Sequence, residues 1–305
     1  MRLLPRFLEQ TLAAYVVALC ATVCSAVGEP VVVSGNAFLA EVLATLEGWP
    51  TITGQLRYKV RLTDQTLVGS GRYWQQGSGN GRRTRWETQT QVAGETASML
   101  QVFDGTHLWT DRRLPSDRQI RRLDVIRLQA GLEIRGFGEL RSQTTGTRLG
   151  ELLATAQGRG GVPQLLAELL RRFEFDPPRA AQLNGTAVYA LIGRWRPEEL
   201  SHLWPERVDA EADSAAPWPE QLPDHVLLLV GKRDYFPNVI EFRRKEDADL
   251  ADRAAGLRLC DDPLVFYELF DVKFGEMIDR RLFEFTPGDA QWKDETAVVL
   301  KQLRR

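Results

Sequence analysis

From Thr51 to Leu62 the even positions carry Ile52, Leu56, Tyr58, Val60 and Leu62, interrupted by Gly54, while Thr51, Thr53, Gln55, Arg57, Lys59 and Arg61 take the odd ones. Successive side chains of a strand point to opposite faces, so this alternation predicts a strand with one apolar face and one solvated face. Ahead of it, Phe38, Leu39, Val42, Leu43 and Leu46 recur at helical spacing and predict a short amphipathic helix. Further strands are predicted at Thr66 to Gln75, Arg83 to Val92, Ser98 to Phe103 and Thr106 to Thr110, with Asp104-Gly105 turning between the last two, and another from Gln119 to Leu128. Short turns without intervening helices imply an antiparallel meander.

The period then changes. Leu149, Leu152, Leu153 and Ala156 have helical spacing before the glycine-rich Gly158-Arg159-Gly160-Gly161. A second helix is predicted from Pro163 to Phe173, with Leu165, Leu166, Leu169 and Leu170 as its apolar stripe and Pro177-Pro178 as its stop. Strands resume at Ala187 to Trp195, where Val188, Tyr189, Leu191 and Ile192 make both faces apolar. Pro197 to Asp224 is rich in Pro, Ala and acidic residues, and Asp209 to Pro219 reads as a surface loop or insertion. His225 to Val230 and Asn238 to Arg244 read as a hairpin, and Leu264 to Phe274 with Arg281 to Phe285 as a last pair of strands. The expected architecture is mainly β (α+β): a curved, half-open, antiparallel barrel-like sheet with helices over one face, and a sandwich is the geometric rival.

The first thirty residues bear on compartment. Arg2 and Arg6 precede an uncharged apolar run from Leu12 to Val27 that ends in the small residues Ser25 and Ala26. This is the plan of a secretory signal, with cleavage expected after Ala26. Retention of the segment as a membrane anchor is the alternative. Neither Cys20 nor Cys24 follows the small residue that lipidation would want, since Leu19 and Val23 precede them. Cleavage leaves roughly 275 residues, enough for one domain, read here as 30–305 with an insertion near 197–224. Cys260 then has no internal disulfide partner, and its apolar neighbours suit a small buried side chain. The expected location is the periplasm or another extracytoplasmic compartment.

With 39 Lys+Arg against 41 Asp+Glu, no overall charge argues for nucleic acid. Arginines cluster at Arg82, Arg83 and Arg85 and again from Arg112 to Arg127, a pattern that could contact lipid headgroups but is read here as outward-facing, solvated positions on half-exposed strands. His107, His202 and His225 stand at no metal-ligand spacing from one another or from a cysteine. Gly69-Ser70-Gly71 and Gly77-Ser78-Gly79 lack the strand-to-helix context of a nucleophile elbow, and Gly77 to Gly81 lacks the lysine and helix of a phosphate cradle. No catalytic residue, metal or cofactor is assigned.

Two stretches carry a family resemblance. Leu100-Gln-Val-Phe-Asp-Gly-Thr-His-Leu-Trp109 resembles the strand-turn-strand segment of the LolA/LolB-like superfamily of periplasmic outer-membrane lipoprotein carriers. Phe270-Asp-Val-Lys-Phe274, followed by Ile278 to Pro287, is similar to that superfamily's closing segment, with Gly288 in place of its second proline. The order of elements also matches from Phe38 to Lys301. The resemblance implies a half-open barrel with a helical lid and an apolar interior. It points to a non-enzymatic carrier that binds lipid or the acyl chains of a lipoprotein. The alternative is an envelope sensor or interaction protein, like a sigma-factor regulator, that binds an envelope membrane protein on the same scaffold. The residues expected to line the ligand pocket are Leu56, Tyr58, Val60 and Leu62 with Phe266, Phe270 and Phe274, the last three chosen over Val265, Tyr267 and Leu269.

Overall fold

The computed structural model describes residues 33–61, 65–92, 94–133, 147–204, 218–220, 222–244, 259 and 263–302. The expected export signal, Leu62, most of the Asp209 to Pro219 loop and Cys260 lie outside these residues. Helix α1 (Gly35–Gly48) starts where the Ser34 hydroxyl accepts the Ala37 N–H at 3.2 Å, and it buries the expected stripe of Phe38, Leu39, Val42 and Leu46. Strands β1 (Thr51–Arg61), β2 (Thr66–Gln76), β3 (Arg83–Val92), β4 (Glu95–Phe103), β5 (His107–Leu114) and β6 (Asp117–Asp124) follow as a meander, each pairing antiparallel with the next.

The predicted strand from Gln119 to Leu128 is divided in the structure: β6 ends at Asp124 and helix α2 (Val125–Glu133) begins at once. Helix α3 (Thr147–Arg172) unites the two predicted central helices. It bends at Gly161, whose φ of +66° and ψ of −153° lie in a region a side chain would strain. Then come β7 (Phe173–Phe175), β8 (Arg179–Leu183), β9 (Thr186–Trp195), α4 (Pro197–Leu203), β10 (His225–Gly231), β11 (Pro237–Arg243) and β12 (Val265–Phe274). Arg281 to Phe285, expected to be a strand, instead contains a 3-10 turn (Arg280–Phe283), because Asp279 caps it by accepting the Arg281 N–H at 3.0 Å. The chain closes with β13 (Trp292–Asp294) and α5 (Thr296–Gln302).

Thirteen strands form one sheet in the order β13-β6-β5-β4-β3-β2-β1-β12-β11-β10-β9-β7, with β8 also on β9. The two ends do not pair, so the sheet is open, and every ladder is antiparallel except β13 on β6. The expected mainly β architecture with helices on one face is what the structure contains. On that inner face α1 and the second half of α3 pack against Ile52, Leu56, Tyr73, Trp86, Leu191, Val226, Leu228, Ile240 and Leu269. Trp204 and Leu222, inside the segment read as an insertion, are buried in this same core, and Trp218 stacks edge-on against Trp204 at 5.4 Å. The flanks of that segment are therefore structural.

Candidate functional site

The inner surface of β1 is the natural place to build a binding site, because its apolar set changes environment along the strand. Ile52 and Leu56 are fully buried beneath the helices, whereas Tyr58 and Val60 are only half-buried. Directly opposed residues of an antiparallel pair share a face. The β1–β12 register sets Leu56 against Leu269, Tyr58 against Tyr267 and Val60 against Val265. Across the other ladder, Leu56 and Tyr58 face Gly71 and Gly69 of β2.

The glycines lower the floor beside these side chains. The Tyr58 ring lies across Gly69 so closely that a Cβ there would sit 2.3 Å from its Cζ. The Tyr58 hydroxyl donates to the Gln89 carbonyl at 3.3 Å, and burial pushes the phenol up in pKa against the lowering effect of Thr90 and Thr88. Its ring meets that of Tyr267 at 6.4 Å. The result is a half-buried aromatic and aliphatic surface on which the Tyr58 hydroxyl is bonded to the sheet itself.

Toward the closed end, polar contacts fasten helices to sheet. Tyr73 donates to Gln75 Oε1 and accepts the Val162 N–H at 3.2 Å, which fixes the bend of α3 over β2. Burial raises the Tyr73 phenol well above its ordinary range, so it stays neutral. Arg82, at the β2–β3 turn, donates to the Gly160 carbonyl at 2.9 Å and pairs with Glu47 at the end of α1.

The structure divides the sequence-predicted pocket residues. Leu56, Tyr58 and Val60 share the inner face, and Phe274 joins them against Trp49 at 4.8 Å and Phe236 at 5.8 Å. Phe266 and Phe270 do not. They belong to the outer face, where the Arg57 guanidinium lies 4.2 Å from the Phe270 centroid and the Lys59 ammonium 6.0 Å from that of Phe266. The cause is a bulge: β12 spends three residues from Phe270 to Lys273 while β1 spends two from Gln55 to Thr53, with Asp271 at φ +49°. One extra residue flips the alternation, so Phe274 is inner although Phe270 is outer. Val265, Tyr267 and Leu269, passed over in the sequence, are the inner set. The register to β1 was the only signal that could have found them.

Comparison with known proteins adds context. No protein-family model and no curated protein sequence matches the chain. Among solved structures, a LolA superfamily protein from Nitrosomonas europaea aligns at 13% identity and TM-score 0.28, covering 83% of this chain and 98% of that one. The Mycobacterium tuberculosis lipoprotein LppX aligns at 12% identity and TM-score 0.35 over 81% of this chain and 99% of that one. The MucA/MucB complex of Pseudomonas aeruginosa aligns at 9% identity and TM-score 0.38, covering 82% of this chain but 60% of that one.

Among the described residues no group of three or more His, Cys, Asp and Glu side chains is placed to hold a metal, and no helix is long and apolar enough to cross a membrane.

Proposed function

We propose that this protein is an extracytoplasmic binding protein for lipid or the acyl chains of a lipoprotein, acting as a carrier without catalysis. The observation that supports this reading is the gradation along β1. The same apolar face that is sealed by helices at Ile52 and Leu56 is only half-covered at Tyr58 and Val60, beside Val265 and Tyr267. A core strand has no need of that gradient, and an acyl chain laid over Tyr58 and Val60 would complete the burial at about 25 cal/mol per Å² of apolar area removed from water. In this reading Tyr58 and Val60 line the site with Val265 and Tyr267, Leu56 and Phe274 belong to the sealed core on the same face, and Leu62 continues the alternation in the sequence.

The test is saturable binding of a fluorescent fatty acid by delipidated protein. Val60→Glu would set an unpaired carboxylate into the apolar surface at a cost of about 1–3 kcal/mol, and should weaken probe binding about tenfold or more. Lys59→Glu, one residue away on the opposite face, should leave it unchanged. Probe binding that is absent in the parent, or equal in folded Val60→Glu protein, would reject the proposal. Recovery of one specific protein from an envelope extract, with no lipid extractable, would favour the interaction-protein alternative instead.

A further inference from the structure

The outer face of β1, β2 and β12 carries a feature that cargo binding on the opposite side does not use. Arg57, Lys59 and Arg61 share this face of β1, Val68, Ser70 and Arg72 line it on β2, and Phe266 and Phe270 lie under the first two cations. The alternating burial of β2 leaves Thr66, Val68, Ser70 and Arg72 exposed in turn, with Val68 at 58%. Val68 stands directly opposite Lys59, so an aliphatic side chain and a cation project side by side.

The acids of this face are already engaged. Glu268 pairs with Arg57 at 3.3 Å, Glu87 with Arg85 at 2.6 Å, and Asp271 accepts from the Gln55 amide at 3.0 Å. Lys59 and Arg72 are left with no carboxylate in bonding range among the described residues. The face is therefore cationic toward anything approaching it, and two of its positive groups, Arg57 and Lys59, lie over aromatic rings.

We propose that this outer face docks on an anionic membrane surface. Side chains on one face recur every two residues, about 7 Å along a strand, with strands about 4.8 Å apart, so the cations form a planar array suited to several headgroup phosphates at once. Lys and Arg lay their stems along apolar surface and present their charge at the end, here over the Phe266 and Phe270 rings, while the exposed Val68 suits the acyl boundary below the headgroups. An acidic peptide would be better served by a groove than by an open sheet face. The docking surface lies on the other side of the sheet from Tyr58 and Val60 and does not depend on cargo binding.

The experiment is co-sedimentation of the full chain with vesicles of phosphatidylcholine alone or mixed with phosphatidylglycerol. The readout is the increment due to the anionic lipid, since the apolar N-terminal segment would partition into both. A clear increment is expected, removed by about 0.5 M salt, where the screening length falls to about 4 Å. Each cation at such a surface contributes about fivefold in affinity, so the double variant Lys59→Glu/Arg72→Glu should lose more than about twenty-five-fold. Lys59→Gln/Arg72→Gln should lose about twenty-five-fold, which keeps the test valid if charge reversal harms folding, as checked by the thermal midpoint. Arg233→Glu, in the turn between β10 and β11, should change nothing. No increment from phosphatidylglycerol, a folded double variant that keeps it, or an equal loss in Arg233→Glu would each overturn the proposal.

Discussion

The two halves of the sheet are built from the same kind of strand and solve different burial problems. In β2 the exposure alternates residue by residue, whereas all seven residues of β10 are buried. The reason is what lies on the outer side. Over β9 to β11 the outer residues Val188, Ala190, Ile192, Leu227, Leu229 and Val239 form a second apolar layer, covered by Ala181 and Leu183 of β8 and by Leu259. Over β1 and β2 the outer side meets water. A strand therefore shows its period only where one of its faces is solvated, and the doubly covered half also encloses charge. Glu241 and Arg243 form an ion pair at 2.9 Å with 0% and 1% of their side chains exposed.

The strongest way to break the comparison is to place a charge on the outer face of each half. Leu227→Asp buries an unpaired carboxylate in the second apolar layer and is expected to abolish cooperative folding at 25 °C, as followed by circular dichroism. Ser70→Asp, outward on β2, should shift the thermal midpoint by no more than about 2 °C. If both variants behaved alike, the two halves would not differ in cover. Next in size is Arg243→Ala, which strips one partner from the buried pair and should cost about 3–5 kcal/mol in urea unfolding because Glu241 keeps its charge in a dry site. A loss under about 1 kcal/mol would mean that water reaches the pair.

The smallest effect concerns the C-terminal strap over the solvated half, where Trp109 meets Phe285 and Trp292, each at 5.3 Å, and Arg122 pairs with Asp294. The Thr296 hydroxyl, followed by Arg122, holds the Asp294 carboxyl down to about 2, below its ordinary 3.8. A depressed carboxylate stabilises the fold above its unfolded value and loses that contribution as pH falls through its folded one. The parent should therefore exceed Asp294→Asn in thermal midpoint above pH ~4, with the gap closing between pH ~4 and ~2. A gap that persists at pH ~2 would assign the effect to something other than this carboxylate.

The same contrast governs how much could be read from the chain. The alternation of Ile52, Leu56, Tyr58 and Val60 survives because Arg57 and Lys59 face water, and β3 was legible to its last residue, Val92, for the same reason. Nothing local marks the bulge at Asp271, since it exists only as a mismatch between two strands distant in sequence, so Phe266 and Phe270 were assigned to the wrong face while Phe274 was assigned to the right one. Trp204 and Leu222 were hidden by composition: a few apolar residues among Pro, Ala and acids look like loop, and only their docking on α4 and the inner core distinguishes them. The short edges β7, β8 and β13 are held by their neighbours and carry too few residues for any period.

The place of β1 in the sheet has a consequence for how the molecule assembles. It lies at the seam between two meanders, with β2 on one side and β12 on the other, so Ile52 meets Phe274. As the chain emerges from the amino end, β1 to β6 can zip locally. One edge of the first strand then stays unsatisfied until the last long strand arrives. Such a late, long-range closure slows folding and leaves a sticky edge exposed in the interval. Loss of a few residues from β12 would thus be felt first as aggregation of nascent protein, before any measurement on the folded state could register it.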